Sequence, residues 1–124
     1  MKIRWIVIAI LMLGMELFAS SFRQSLNACK RGNMIACEEV GVRYIDGNGV
    51  RRNGYKAIQY LSKACSRGSA GACNTIAFIY ADGEAGVKQN YSKALKYWRR
   101  ACWKGDRSAC ANIDLAKDKL RHHY

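Results

Sequence analysis

The 124-residue chain contains no proline, only two histidines, and only nine acidic residues against 21 basic ones. Because proline is absent, no helix is expected to be kinked or broken by a proline in its interior. Both histidines, His122 and His123, stand at the end of the sequence, where they cannot converge with the further ligands that a zinc site needs. We therefore predict neither a metal site nor a cofactor, while the net charge of +12 favours anionic partners.

The first residues have the pattern of a secretory signal peptide. Lys2 and Arg4 precede an apolar run from Ile6 to Met15, and small residues follow at positions 19–21. This run is shorter than the roughly 20 residues that a membrane-spanning helix needs. We predict a signal peptide at residues 1–19, cleaved after position 19 or 21, and a secreted or periplasmic protein. Cleavage after position 19 removes two basic residues and one acidic residue, which lowers the net charge from +12 to +11.

All six cysteines occur in three pairs with seven intervening residues. An even number of cysteines in a small exported protein predicts a disulfide framework. Zinc is the competing interpretation, but zinc sites favour C-x2-C pairs or nearby histidines. The pairs are Cys29 and Cys37, Cys65 and Cys73, and Cys102 and Cys110.

The spacing of the cysteines belongs to a longer internal repeat. The first cysteines of successive pairs are 36 and 37 residues apart, and the segment Lys56–Gly68 matches Lys93–Gly105 position by position. A period in the thirties is typical of helical repeat arrays. We predict one repeat domain at 20–124, built from three units. The units span about 22–54, 55–91 and 92–124.

Each unit has the pattern of two helices. After Lys56, apolar or small residues recur at positions 57, 58, 61, 64 and 65, which form one face of a helix. Gly68 is suited to a left-handed helix end, and a second helix runs from about Ala70 to the turn dipeptide Asp82-Gly83. The two cysteines of a pair then face each other across a short turn. We predict an all-α superhelical repeat array with one local disulfide per αα-hairpin.

Several short motifs also resemble a known family. They are Y-x-D-G-x-G-V at Tyr44–Val50, N-x-x-K-A at Asn53–Ala57 and Asn90–Ala94, and the helix-ending glycines Gly68 and Gly105. The pattern resembles the Sel-like repeat, a relative of the tetratricopeptide repeat, and the C-x7-C pairs resemble its exported, cysteine-rich Hcp-type branch. This resemblance implies a right-handed α/α superhelix with one disulfide per repeat. It also implies β-lactam binding or weak β-lactam hydrolysis.

The residues themselves suggest no mechanism for a β-lactamase. A serine β-lactamase needs S-x-x-K together with S-D-N and K-T-G motifs, and none of these occurs in the sequence. Six paired cysteines would also leave no thiol nucleophile. An enzymatic function therefore depends on the resemblance alone, and similarity of fold is a weak basis for assigning a catalytic activity.

The favoured prediction is a binding scaffold at the cell envelope or outside the cell. Its partner is expected to be an anionic cell-envelope polymer or an acidic protein surface, with a β-lactam or peptidoglycan-like ligand as the alternative. Export disfavours nucleic acid. Repeat arrays bind along a concave surface, and the second helix of each unit is expected to line it. The candidate ligand-contacting residues are Glu38, Val42, Asn74 and Phe78. The repeated aromatic residues Tyr44, Tyr60, Tyr80, Tyr97 and Trp98 are expected to belong to the core.

Overall fold

The computed structural model describes residues 2–122, and within that range the side chains of residues 11–20 are outside the description. The described chain is all-helical, as predicted. Part of the predicted signal peptide, namely Met1 and the side chains of 11–19, lies outside the described residues, as does His123. The helices are α1 (Lys2–Lys30), α2 (Met34–Asp46), α3 (Gly54–Ser66), α4 (Ala70–Asp82), α5 (Tyr91–Trp103) and α6 (Arg107–His122), with a 3-10 turn at Glu84–Gly86.

Helix α1 continues through the predicted cleavage positions without a break. Its early apolar side chains, such as Ile3 and Trp5, are exposed, whereas Phe22 and Cys29 are buried against the rest of the array. None of the described helices combines the length and the apolar character that crossing a membrane would require.

Polar side chains fix where the helices begin. Five residues before helices accept a hydrogen bond from a backbone N–H three positions later: Asn33, Asn53, Ser69, Asn90 and Asp106. Such capping satisfies one of the amide groups that the first turn leaves free. Two of these caps are the asparagines of the N-x-x-K-A motif, so the motif marks the start of α3 and of α5.

The core lies between successive antiparallel helices and is built mostly from small and aliphatic side chains. Leu61, Ile76 and Trp98 are its largest fully buried members. Gly41 allows α2 to approach α3 closely, because a Cβ atom at this position would lie 2.6 Å from Cγ of Leu61. On α6 only Ala109 and Ala116 are buried, which is the more polar character expected of a terminal unit.

The three predicted disulfides are present. The sulfur atoms join Cys29 to Cys37, Cys65 to Cys73, and Cys102 to Cys110, and the Cα atoms of each pair are 4.6–4.8 Å apart. Each bridge connects the end of one helix to the start of the next across a short turn. The prediction of one local disulfide per pair of adjacent helices is therefore confirmed.

The loop between α4 and α5 contains the 3-10 turn. Relative to the loop after α2 it has one extra residue, and Ala85 in this turn has a φ of 50°. The turn brings Val87 into the core at 3% exposure, against the start of α3 at Gly54. Through Val87 the loop after α4 thus packs on the start of α3, which belongs to the preceding unit.

Candidate functional site

The charges of the protein are segregated along the sequence. Residues 51–67 carry five basic residues and residues 88–104 carry six, and neither segment contains an aspartate or glutamate. We call these the basic segments; they contain α3 and α5 respectively. Because no carboxylate is interspersed, the positive charge of each segment is not neutralised by its own neighbours.

Each basic segment contributes one ring to a pair of stacked tyrosines. The ring centroids of Tyr44 and Tyr60 are 5.8 Å apart with an interplanar angle of 12°. Those of Tyr80 and Tyr97 are 6.0 Å apart at 17°. The two pairs occupy equivalent positions, one repeat apart. The first pair joins α2 to α3 and the second joins α4 to α5, where α3 and α5 are the helices of the basic segments.

A cation lies over each of these four rings. Lys56 and Lys63 lie 5.7 and 5.3 Å from the ring centroids of Tyr44 and Tyr60. In the next repeat, the cations over Tyr80 and Tyr97 are Lys93 at 5.2 Å and Arg100 at 5.4 Å. Cation–π contacts of this kind are worth about 0.5–1 kcal/mol at exposed sites, and they orient the cation without cancelling its charge. We call each group of two tyrosines and two cations a tyrosine–cation cluster.

Burial is the main cause that raises the pKa of Tyr80, with smaller contributions from Tyr97 and Tyr55. A raised pKa keeps this phenol neutral near pH 7. The ring beneath Lys93 therefore carries no phenolate charge that would offset the lysine.

Three surface cavities border the basic segments, and each is lined by three cations and no carboxylate. Their volumes are about 520, 470 and 320 Å³. The cations are Lys30, Lys63 and Arg67 in the first, Arg51, Arg52 and Lys56 in the second, and Arg99, Arg100 and Lys104 in the third. The third cavity is also lined by Trp103, whose side chain is 92% exposed.

The structure places the ligand-contacting residues predicted from the sequence on another surface. Asn74 and Phe78 both contact Trp98 of α5. The Oδ1 atom of Asn74 accepts a hydrogen bond of 3.0 Å from the indole N–H of Trp98, and the Phe78 ring meets the same indole edge-to-face at 5.4 Å. Val42 is exposed and Glu38 half-buried at the equivalent positions one repeat earlier.

Val42 and Phe78 belong to a row of exposed apolar side chains that continues onto α6. Val42, Phe78 and Leu115 occupy equivalent positions and are 43%, 40% and 49% exposed. We call them the apolar row. Phe78 and Tyr80 are two residues apart on α4, so their side chains point about 200° apart around the helix axis. The apolar row and the tyrosine–cation clusters are therefore different surfaces.

The sequence prediction missed the cations of the clusters and cavities, because it treated charge as a property of the whole chain. The signal was readable: both basic segments are free of acidic residues. Among the residues that the structure describes, no group of three or more histidine, cysteine, aspartate or glutamate side chains could hold a metal ion. No cysteine in the described chain is free.

The family assignment follows from a family-model comparison. The model of the Sel1 repeat matches residues 35–69 and 70–106, which together make up more than half of the chain. The chain belongs to the Sel1 repeat family. Each matched repeat contains one complete tyrosine–cation cluster, and the Cys65–Cys73 disulfide joins the first repeat to the second. The family model thus divides the array one helix out of phase with the units predicted from the cysteine spacing.

Solved structures of other Sel1-type proteins share the fold. A Sel1 repeat protein from Oxalobacter formigenes is 30% identical with a TM-score of 0.68, over 78% of this chain and 40% of that one. Cysteine rich protein B of Helicobacter pylori is 31% identical with a TM-score of 0.64, over 73% of this chain and 67% of that one.

A third solved structure is a protective antigen from uropathogenic Escherichia coli strains with an SLR fold. It is 23% identical with a TM-score of 0.73, over 83% of this chain and 22% of that one. The chain thus spans less than half the length of two of these three proteins, and the likeness to the antigen concerns the fold alone. A search of curated proteins found no match.

The match to a cysteine-rich Sel1-type protein agrees with the resemblance drawn from the motifs. The Sel1-repeat array is a helical scaffold suited to protein interaction, and its three intramolecular disulfides fit an exported protein.

Proposed function

We propose that this Sel1-repeat protein is a secreted or periplasmic scaffold that binds an anionic partner through its two basic segments. The partner is an anionic cell-envelope polymer or an acidic protein surface. One observation carries the proposal: each matched repeat contains a tyrosine–cation cluster whose two cations lie in a basic segment without aspartate or glutamate.

The location outside the cytoplasm is supported by two independent features. The first is the signal-peptide pattern at residues 1–19. The second is the pairing of all six cysteines in local disulfides, because disulfides persist in oxidising compartments and are rare in the cytosol.

The clusters favour binding by orienting cations before the partner arrives. A lysine held over a tyrosine ring has already lost part of its side-chain freedom, so less entropy is lost when an anion binds. Repetition adds a second contribution, since two equivalent clusters on one rigid array can engage two anionic groups of the same partner. An extended positive surface also attracts an anionic partner over distance and accelerates association.

The apolar row is the proposed second contact. Val42 and Phe78, with Glu38 and Asn74 beside them on α2 and α4, would meet apolar parts of the same partner or of another one. Contacts of this kind are insensitive to ionic strength, unlike those of the clusters, which should weaken as the Debye length falls from about 10 Å at 0.1 M salt to about 3 Å at 1 M.

A salt titration tests the proposal. Affinity of the purified, oxidised protein for immobilised poly-glutamate and for an envelope fraction is measured between 0.05 and 1 M sodium chloride. We expect the affinity to fall steeply with salt, and to fall further in the double variant Lys56→Gln/Lys93→Gln. The control is Lys117→Gln/Lys119→Gln, which removes the same charge from exposed positions on α6. Affinity that is independent of salt, or equal in the two double variants, would refute the role of the basic segments.

The alternative function implied by the family resemblance has its own assay. The assay measures turnover of a chromogenic β-lactam by the oxidised protein. Turnover that a single substitution abolishes would favour an enzymatic function over the scaffold function.

A further inference from the structure

The cavity at the connection between α2 and α3 differs from the other two in that both an arginine and a lysine of its lining are held by contacts with the protein. It has a volume of about 470 Å³ and is lined by Tyr44, Val50, Arg51, Arg52, Asn53 and Lys56. We propose that this cavity binds a phosphate monoester group carried by the partner. This inference rests on the proposed function and assigns a chemical class to one part of the anionic partner.

Two of the three cations in this cavity are held in place by contacts that leave their charge intact. The Nε atom of Arg52 donates a hydrogen bond of 2.8 Å to the carbonyl oxygen of Ile45, which orients the guanidinium group and leaves both terminal amino groups for an anion. Lys56 lies over the Tyr44 ring. The ion pairs found among the described residues join Arg43 to Glu39 and His122 to Asp118, so neither involves a cation of this cavity.

The number of cations favours a phosphate monoester over a carboxylate. A phosphate monoester carries a charge of about −1.5 to −2 at pH 7 and three acceptor oxygens, whereas a carboxylate carries one charge and two oxygens. An arginine can bind two phosphate oxygens at once, and a lysine contributes a further point charge. Val50 and Tyr44 also line the cavity, and the cavity is larger than a phosphate group, so there is room for the carrier of the phosphate.

The second repeat supplies a built-in comparison. Gln89 is the residue equivalent to Arg52, and its Nε2 atom donates a hydrogen bond of 2.7 Å to the carbonyl oxygen of Ala81, the residue equivalent to Ile45. The substitution Arg52→Gln should therefore keep the structural hydrogen bond while removing the charge. The control is Lys117→Gln, which removes the same charge from an exposed position on α6 outside both basic segments.

The experiment is calorimetric titration of the full-length oxidised protein at low salt with inorganic phosphate, glucose 6-phosphate and, for comparison, glucuronate. We expect both phosphate probes to bind more tightly than glucuronate. Loss of a charge-assisted hydrogen bond should weaken phosphate binding about tenfold in Arg52→Gln, and Lys117→Gln should change it less than about twofold. Arg51→Gln is the second variant, since it lines the same cavity without a hydrogen bond to the backbone of Ile45.

The outcomes separate this inference from the proposed function. If glucuronate bound as tightly as glucose 6-phosphate, or if Arg52→Gln and Lys117→Gln weakened phosphate binding equally, the phosphate site would be refuted. Salt-dependent binding to poly-glutamate would in that case leave the proposed function standing. Absence of binding to every anionic probe would refute both.

Discussion

Removal of the central disulfide should destabilise the protein more than removal of the last one, although both close loops of equal length. The perturbations are the double variants Cys65→Ala/Cys73→Ala and Cys102→Ala/Cys110→Ala. Each pair is separated by 8 residues in sequence, so the entropy that the bridge removes from the unfolded chain is the same. From the loop-length relation it is worth about 2.5 kcal/mol at 25 °C in each case.

The difference comes from the surroundings of the sulfur atoms. Cys65 and Cys73 are fully buried, between helices that are themselves covered on both sides, whereas Cys102 and Cys110 are half-buried near the end of the array. Truncating two buried side chains leaves unfilled space that costs about 1–2 kcal/mol more. We therefore expect a loss of about 4 kcal/mol for the central variant and about 2.5 kcal/mol for the terminal one.

Urea and thermal denaturation followed by circular dichroism at 222 nm would measure both losses against the oxidised wild-type protein. A difference of about 1–2 kcal/mol corresponds to roughly 5–15 °C between the melting temperatures of the two variants. The reasoning would be refuted if the terminal variant lost as much stability as the central one. It would also fail if the fully reduced wild-type protein kept its melting temperature.

Three further outcomes follow from individual contacts. Asn74→Ala should lower the free energy of unfolding by about 1–3 kcal/mol, because the buried indole N–H of Trp98 loses its acceptor; an unchanged urea midpoint would contradict this. Gly41→Ala should lower the free energy of unfolding by about 1–3 kcal/mol through overpacking against Leu61. A gain in melting temperature would contradict this and show that α2 can move away from α3. Hydrogen bonds from the Ser108 side chain, and from the backbone of Ala109 and Ser108, lower the pKa of the Asp106 carboxyl. The stability that this carboxylate contributes is therefore present above its unfolded pKa and is lost as the pH falls through its lower folded pKa. Asp106→Asn should therefore flatten the loss of stability below about pH 4, and an unchanged acid profile would argue against the cap.

Most of the fold could be predicted from the sequence because its determinants are local. Equal cysteine spacing, glycines at helix ends and asparagines before helices each act within a few residues of themselves, so their consequences can be read without knowing the tertiary structure. Gly68 illustrates this: it was expected in the left-handed region and has a φ of +108°. The 3-10 turn at Glu84–Gly86 was not predicted, because it depends on Val87 packing against a different unit.

The candidate site was harder to predict because it depends on side-chain directions across two helices. The repeat register showed that Tyr44 is equivalent to Tyr80 and that Tyr60 is equivalent to Tyr97. It did not show that, within each repeat, the first tyrosine stacks on the second. The core assignment of these rings was correct for Tyr44, while the other three are only partly buried. Placement of a lysine or arginine over each ring depends on rotamers, which the sequence pattern does not specify.

The short span of each disulfide has a consequence for oxidative folding. For Cys37 the native partner is 8 residues away, whereas the nearest cysteine of another pair, Cys65, is 28 residues away. Closing the longer loop costs about 1 kcal/mol more chain entropy, so random encounter already favours the native bridge roughly sixfold. Each bridge needs only its own turn and the two helix ends beside it. In the proposed location outside the cytoplasm, oxidation can therefore proceed from one end of the chain to the other, and a low demand for disulfide isomerase is expected.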